Sequence, residues 1–186
     1  MKKAAFLFIF TAVTGIIHAQ SAETLKIRSV REQKEFQWMQ EYSSFLSIPN
    51  VAADAESLKK NADFIMHMMQ RRSIQNIQLL YPDTKNIPPV IYGEVNTPGA
   101  DRTLIFYAHY DGQPVDSTKW AKGLRPFVPQ LVNGSLEKGA GMIPVPVGGK
   151  YEPDWRIYAR GASDDKAGVM SILSAYESII QAGYSL

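Results

Sequence analysis

Two places in the sequence carry side chains that could bind a metal ion. The first is the triplet His109-Tyr110-Asp111, which directly follows a nearly continuous apolar run at 103–108. Alternate residues of an extended chain point the same way, so the imidazole of His109 and the carboxylate of Asp111 should project side by side. A carboxylate beside a metal-binding histidine can fix its tautomer and orientation. The alternative is a histidine held by a local hydrogen bond without a chemical role.

The second place is the pair Asp164-Asp165, which follows a short strand-like run and a turn at Gly161. The simple structural interpretation is that Asp164 caps the next helix and complements its dipole. However, ligands of open α/β sheets bind outside the carboxyl ends of strands. If the two strands are neighbours, an imidazole and two carboxylates converge, which suits a divalent metal such as zinc. Two such ions could activate a water for hydrolysis.

The elements that would position these residues alternate between strands and helices. Apolar runs between turn residues predict strands at 74–80, 90–95, 103–108 and 155–159. Helical spacing predicts helices at 35–46, from Asp54 onward, and from Asp164 to a C-cap at Gly183. The region 112–152, rich in proline and glycine, is predicted to be a long irregular excursion. The sequence therefore predicts an α/β fold with a largely parallel sheet flanked by helices.

The composition narrows the classes of partner and chemistry. The 186 residues are 45% hydrophobic and carry a formal net charge of +2. This balance gives no reason to expect nucleic acid or an anionic membrane as a partner. The sequence contains no cysteine, which excludes disulfides, thiolate nucleophiles and cysteine-ligated metals.

The N-terminal residues have the pattern of a secretory signal peptide. Lys2 and Lys3 precede an apolar stretch at 4–17, which is shorter than the roughly 20 residues of a membrane-spanning helix. Ala19 is a suitable cleavage site. We therefore assign 1–19 to a signal peptide and expect a secreted or periplasmic protein with no membrane span. The alternative is a buried N-terminal helix.

The two sites, taken in order with the text around them, resemble a known family. The matching segments are Phe106-Tyr107-Ala108-His109-Tyr110-Asp111, Gln113-Pro114-Val115-Asp116, Trp120, Pro126-Phe127-Val128-Pro129 and Ile157-Tyr158-Ala159-Arg160-Gly161-Ala162-Ser163-Asp164-Asp165-Lys166. They resemble the co-catalytic zinc exopeptidases, which include carnosinase-like dipeptidases, glutamate carboxypeptidases, aminoacylases and succinyl-diaminopimelate desuccinylase. The resemblance extends from about residue 30 to the end, and the tryptophan and Pro-Phe-x-Pro pieces are most similar to the dipeptidase branch.

The resemblance implies a role for each candidate residue. His109 would bind one metal, Asp111 would be the catalytic-site residue that orients this imidazole, and Asp164 would bridge two divalent metal ions. Zinc is the metal implied first, with cobalt and manganese as alternatives. The implied reaction is hydrolysis of an amide bond in a dipeptide, short peptide or N-acyl amino acid by an activated water.

Other parts of the family pattern are missing. The family needs a Glu-Glu pair that supplies a general base and a ligand, and no such pair occurs here. Ala167 also stands where many members of the family have glycine. We therefore expect 20–186 to be the N-terminal part of a longer catalytic domain, inactive by itself. The alternative is a secreted, non-catalytic binding or degenerate module on the same scaffold.

Overall fold

The structure is a computed structural model that describes residues 21–84, 87–146 and 149–186. Its longer elements are the helices α1 (Ala22–Leu46), α2 (Ala55–Arg71) and α3 (Lys166–Gln181), and the strands β1 (Gln75–Leu80), β2 (Val90–Glu94), β3 (Gln130–Val132) and β4 (Arg156–Tyr158). Two short 3-10 helices lie at Ser117–Lys119 and Leu136–Lys138. The signal peptide predicted at 1–19 lies outside the described residues. Within the described ranges, no helix is long and apolar enough to cross a membrane.

The four strands form two separate antiparallel pairs. β1 pairs with β2, with Leu79 opposite Ile91, and β3 pairs with β4, with Leu131 opposite Ile157. The mixture of helices and strands agrees with the predicted class. The largely parallel sheet is not found in the part of the chain that the structure describes, where parallel pairing is limited to an isolated bridge between residues 51 and 112.

The strand predicted at 103–108 is wrong, because these residues do not form a strand in the structure. Leu104 and Ile105 are 79% and 89% exposed. Within the described ranges, residues 102–108 make no backbone–backbone hydrogen bond. Such a run becomes a doubly buried strand only when neighbouring strands pair with it and helices cover both faces. The described residues supply neither, so this composition does not produce a strand here.

The helix starts show how capping determines the observed bounds. α1 begins at Ala22, well before the predicted residue 35, because Ser21 caps it by accepting a hydrogen bond from Thr24 N. The first turns of α1 are mostly exposed, so they carry no apolar periodicity that could have revealed them. The predicted N-cap of α2 is confirmed, since Asp54 Oδ1 accepts from Ser57 N at 3.0 Å.

The core lies where the three helices meet. It is built from large apolar side chains of all three: Trp38, Tyr42, Phe45 and Leu46 of α1, Ile65 and Met68 of α2, and Val169, Met170 and Leu173 of α3. The rings of Phe45 and Phe64 stack with centroids 5.4 Å apart. This packing fixes the C-terminal end of α1 against the start of α3.

A buried arginine side chain on the end of α2 forms ion pairs with acidic side chains of α1 and α3. Arg72, at the C-terminal end of α2, has only 3% of its side chain exposed. Its Nη2 donates to Glu41 Oε2 of α1 at 2.6 Å, and its Nε lies 2.9 Å from Glu177 Oε2 of α3. The indole nitrogen of Trp38 donates to the same Glu177 oxygen at 2.9 Å. Because two carboxylates face one guanidinium, the buried charge is compensated on both sides.

We predict that Glu41→Gln destabilises the fold and removes part of its acid sensitivity. Burial raises the pKa of Glu41, but hydrogen bonds from Arg72 and Arg71 outweigh it, so the pKa lies below the ordinary value of 4.5. The stabilisation is therefore complete above that value and is lost as the pH falls through the lower pKa of the folded state. We expect a loss of about 1–3 kcal/mol at neutral pH.

Urea unfolding curves of the wild type and the variant at falling pH measure this. Their difference should shrink toward acid. Glu32→Gln is the control, because Glu32 is more than half exposed and its ion pair among the described residues is with the exposed Arg31. Equal losses in the two variants would contradict the prediction.

Candidate metal centre

The three residues singled out by the sequence lie together in the structure. His109 Nδ1 is 3.1 Å from Oδ1 of Asp111 and 3.1 Å from the carbonyl oxygen of the same residue. On the other side of the ring, His109 Nε2 is 2.9 Å from Oδ1 of Asp164. The imidazole is therefore held between two carboxylates, one from each of the predicted strand ends.

The carboxylates beside His109 raise the pKa of its imidazole. Partial burial lowers the pKa of His109, but the hydrogen bond and charge of Asp111, with a further contribution from Asp164, outweigh burial and hold the pKa above its usual value. The side chains of both aspartates are partly open to solvent. The two carboxylates thus favour the protonated imidazole, with Asp111 facing Nδ1 and Asp164 facing Nε2.

The turn that carries His109 is held by the segment after α1. Asn50 is fully buried, and its Nδ2 donates to the carbonyl of Tyr110 at 2.9 Å. Its own carbonyl accepts from Gly112 N at 2.6 Å, and Gly112 O accepts from Ala52 N at 2.9 Å. A Cβ on Gly112 would lie 2.9 Å from Asn50 Nδ2, so this close approach requires glycine.

Asp165 links the two turns directly, a role that the sequence did not reveal. Its Oδ2 accepts a hydrogen bond from the backbone N–H of His109 at 3.2 Å. The peptide bond between Asp164 and Asp165 is cis. Glycine is needed at Gly168, because a Cβ there would collide with the Asp165 carboxylate. α3 continues through Ala167 without interruption, so the alanine at that position does not disturb the turn.

The donor atoms fit a divalent metal in type but not in number. An imidazole nitrogen and carboxylate oxygens are common zinc ligands, and His109 Nε2 and Asp164 Oδ1 are close enough to approach one cation. Asp111 contacts the other ring nitrogen, the position from which a carboxylate can orient a metal-binding imidazole. Among the residues that the structure describes, no group of three or more His, Asp or Glu side chains could hold a metal ion. The described residues therefore bring together two donor atoms of the kind that a metal ion binds, fewer than a complete site needs.

The Pro-Phe-x-Pro segment, Trp120 and His67 lie in three different parts of the structure. Arg160 N donates to the carbonyl of Pro126 at 2.6 Å, which brings the Pro-Phe-x-Pro segment beside the turn that leads to Asp164. Trp120 caps a 3-10 helix in the long excursion. His67 is exposed on α2.

Comparisons with known proteins find similarity to metallopeptidases. The chain is 26% identical over 163 residues to the Cys-Gly metallodipeptidase dug1 of Schizosaccharomyces pombe, and 24% identical over 169 residues to DUG1 of Candida albicans. An M20 family metallo-carboxypeptidase from Sulfolobus solfataricus is 28% identical, with a TM-score of 0.57 over 79% of this chain. This chain is thus similar to two metallodipeptidases and to an M20 family metallo-carboxypeptidase. No protein-family model matches it.

This chain matches only part of the length of each of these proteins. The two curated relatives are matched over 82% and 83% of this chain, but this chain covers only 30% of each of them. The dipeptidase Dug1p of Saccharomyces cerevisiae has a TM-score of 0.64 at 20% identity, over 88% of this chain and 32% of its own; this likeness concerns the fold. The Sulfolobus M20 enzyme is covered over 28%. The chain thus spans about a third of the length of the proteins it matches.

We predict that Gly168→Ala destabilises the protein, although alanine is normally the better helix residue by about 1 kcal/mol. The new Cβ would force the Asp165 carboxylate to rotate and release the backbone N–H of His109. Losing this charge-assisted bond should outweigh the gain in helix propensity, for a net loss of about 1 kcal/mol. Thermal or urea unfolding measures it.

Gly141→Ala is the matched control, because a Cβ there meets nothing within 4 Å. We expect this variant to stay within about 0.5 kcal/mol of the wild type. A Gly168→Ala protein as stable as the wild type would show that the Asp165 carboxylate has no essential position.

Proposed function

We propose that this chain is the metal-binding N-terminal part of a metal-dependent dipeptidase or exopeptidase. The observation that carries the proposal is the placement of the His109 imidazole between Asp111 and Asp164, with contacts of 3.1 Å and 2.9 Å. Three side chains of types that bind or orient metal ions, from two separate parts of the sequence, meet around one imidazole ring. Its relationship to the M20-type metallopeptidases supports the same reaction class.

Each side chain has a distinct task in the proposed reaction. His109 would hold one metal ion through Nε2, while Asp111 holds the ring by accepting a hydrogen bond from Nδ1. Asp164 would supply a carboxylate ligand shared by two metal ions. When bound, divalent metal ions polarise a scissile carbonyl and lower the pKa of a water. The other ligands and the general base have to come from residues outside this set.

We propose dipeptides as the substrate class, with N-acyl amino acids as the alternative. Support comes from the names of two relatives, which are Cys-Gly metallodipeptidases, and from the resemblance of the Pro126-Phe127-Val128-Pro129 segment to the dipeptidase branch. We propose zinc as the metal, with cobalt and manganese as alternatives, because histidine and carboxylate ligands accept all three. The signal-peptide pattern at 1–19 supports a secreted or periplasmic location.

We predict that Asp164→Ala and treatment with a chelator each abolish dipeptide hydrolysis by the full-length protein that contains this chain. Removing the bridging carboxylate leaves two nearby cations without their shared anion. Initial rates on a series of dipeptides, before and after dialysis against a chelator and re-addition of Zn²⁺, provide the measurement. Asp154→Ala, an exposed carboxylate elsewhere, should keep full activity. Full activity of the metal-free protein would refute the proposal.

We also predict that the purified 186-residue chain hydrolyses no dipeptide at a measurable rate, because its described residues provide too few ligands. Sequencing the source gene beyond the codon for Leu186 complements this assay. A continued reading frame with a strand, a Glu-Glu pair and a later histidine would identify the missing base and ligands. A folded, monomeric protein that neither hydrolyses peptides nor binds Zn²⁺ would favour the non-catalytic binding module instead.

A further inference from the structure

Lys166 is a fully buried lysine at the start of α3, next to the candidate metal-binding turn. Its Nζ donates to the carbonyl of Phe45 at 2.6 Å and to the carbonyl of Ile48 at 2.7 Å. It also lies 4.5 Å from the centroid of the Phe45 ring, in cation–π contact. Within the described ranges, no carboxylate forms an ion pair with this amine.

These contacts place the amine at the C-terminal end of α1. The last carbonyls of a helix lack partners within the helix, and its negative dipole end favours a cation. α1 has no basic residue of its own in its last turn. Lys166 supplies that cation from α3, across a sequence separation of 121 residues to Phe45.

Stability alone does not explain a lysine at this position. A charge buried without a counter-ion loses much of its hydration, and an apolar side chain of similar length would fill the same space at lower cost. A hydrogen-bonded amine, however, fixes direction and distance in a way that an apolar contact does not.

The carbonyls that Lys166 contacts lie just before Asn50, whose side chain holds the turn that carries His109. Asn50 follows Ile48 by two residues, and it bonds the carbonyl of Tyr110 and the N–H of Gly112. The α-carbon of Gly161 packs between the two side chains, because a Cβ there would lie 3.2 Å from Asn50 Nδ2 and 3.4 Å from Lys166 Cδ. One short segment therefore contacts the turns that carry both candidate ligands.

We propose that Lys166 is a positioning residue that sets the separation of Asp164 and His109 through the carbonyls of Phe45 and Ile48. It acts through the backbone and does not itself bind the metal. The inference rests on the proposed function, since it takes these two side chains as metal ligands. Without the two bonds, the start of α3 would keep the contact of Asp165 with the His109 N–H but would lose its attachment to the end of α1. The position of Asp164 relative to His109 would then be less tightly fixed.

The test is Co²⁺ binding to the metal-free full-length protein, followed by its visible absorption spectrum and by competition with a chelator. We expect Lys166→Met to weaken Co²⁺ binding at least tenfold and to change the spectrum. Leu173→Ala, a core variant of the same helix, is destabilised without altering either contact and should keep affinity within twofold. Lys60→Met removes an exposed lysine and should match the wild type.

The outcomes separate the two ideas. A wild-type protein that binds no Co²⁺ overturns the proposed function together with this inference. If the wild type binds and Asp164→Ala abolishes binding, but Lys166→Met binds like the wild type or no worse than Leu173→Ala, only the role of Lys166 is overturned. Should Lys166→Met fail to fold, Lys166→Gln replaces it. This variant keeps the two N–H donors of an amide on an uncharged side chain that is one bond shorter. It should therefore also bind Co²⁺ more weakly than the wild type, and wild-type affinity in it would refute the role.

Discussion

The candidate site depends on the short segment 45–52 between α1 and α2. Its carbonyls at Phe45 and Ile48 accept from Lys166, and Asn50 pairs with the turn that carries His109. The carbonyl between them, at Pro49, accepts from Asn61 Nδ2 of α2 at 2.7 Å. Carbonyls of this one segment thus accept hydrogen bonds from α3, from α2 and, at Asn50, from Gly112. Phe45 and Asn50 are fully buried, so the bonds at these two residues would be costly to leave unmade.

The sequence could predict those site residues whose role follows from their type and their place along the chain. His109 and Asp164 follow strand-like runs, and Asp111 follows His109 by the two-residue spacing that puts side chains on one side. By contrast, Asp165, Lys166 and Asn50 act through bonds to residues 56 to 121 positions away. Local periodicity contains no information on such pairs, and a buried lysine looks like any other lysine in a sequence.

The sequence predicted those elements of the fold whose local residue pattern agrees with their burial in the structure. The predicted strands at 74–80 and 90–95 recur as β1 and β2, and the cap at Asp54 is present. The apolar run at 103–108 shows the limit of the argument. Hydropathy predicts that such a segment is buried in its functional setting, but it does not say which strands bury it. The relatives are about three times as long as this chain, and the described residues contain no strand to pair with it.

Two buried cations hold the helices in different ways, and the difference separates stability from site geometry. Arg72 faces two carboxylates, Glu41 and Glu177, so its charge is compensated and its loss would leave two anions without their partner. Lys166 faces only carbonyl dipoles and an aromatic ring.

Burial lowers the pKa of Lys166 to about 7, which reflects how much the ammonium group loses on leaving water. Arg72 therefore stabilises the packing of the three helices far from the candidate ligands. Lys166 also joins α1 to α3, but it does so where α1 ends and α3 begins, one residue after Asp165. The two basic side chains therefore act at different points along the same two helices, and Lys166 is the one that adjoins the candidate ligand Asp164.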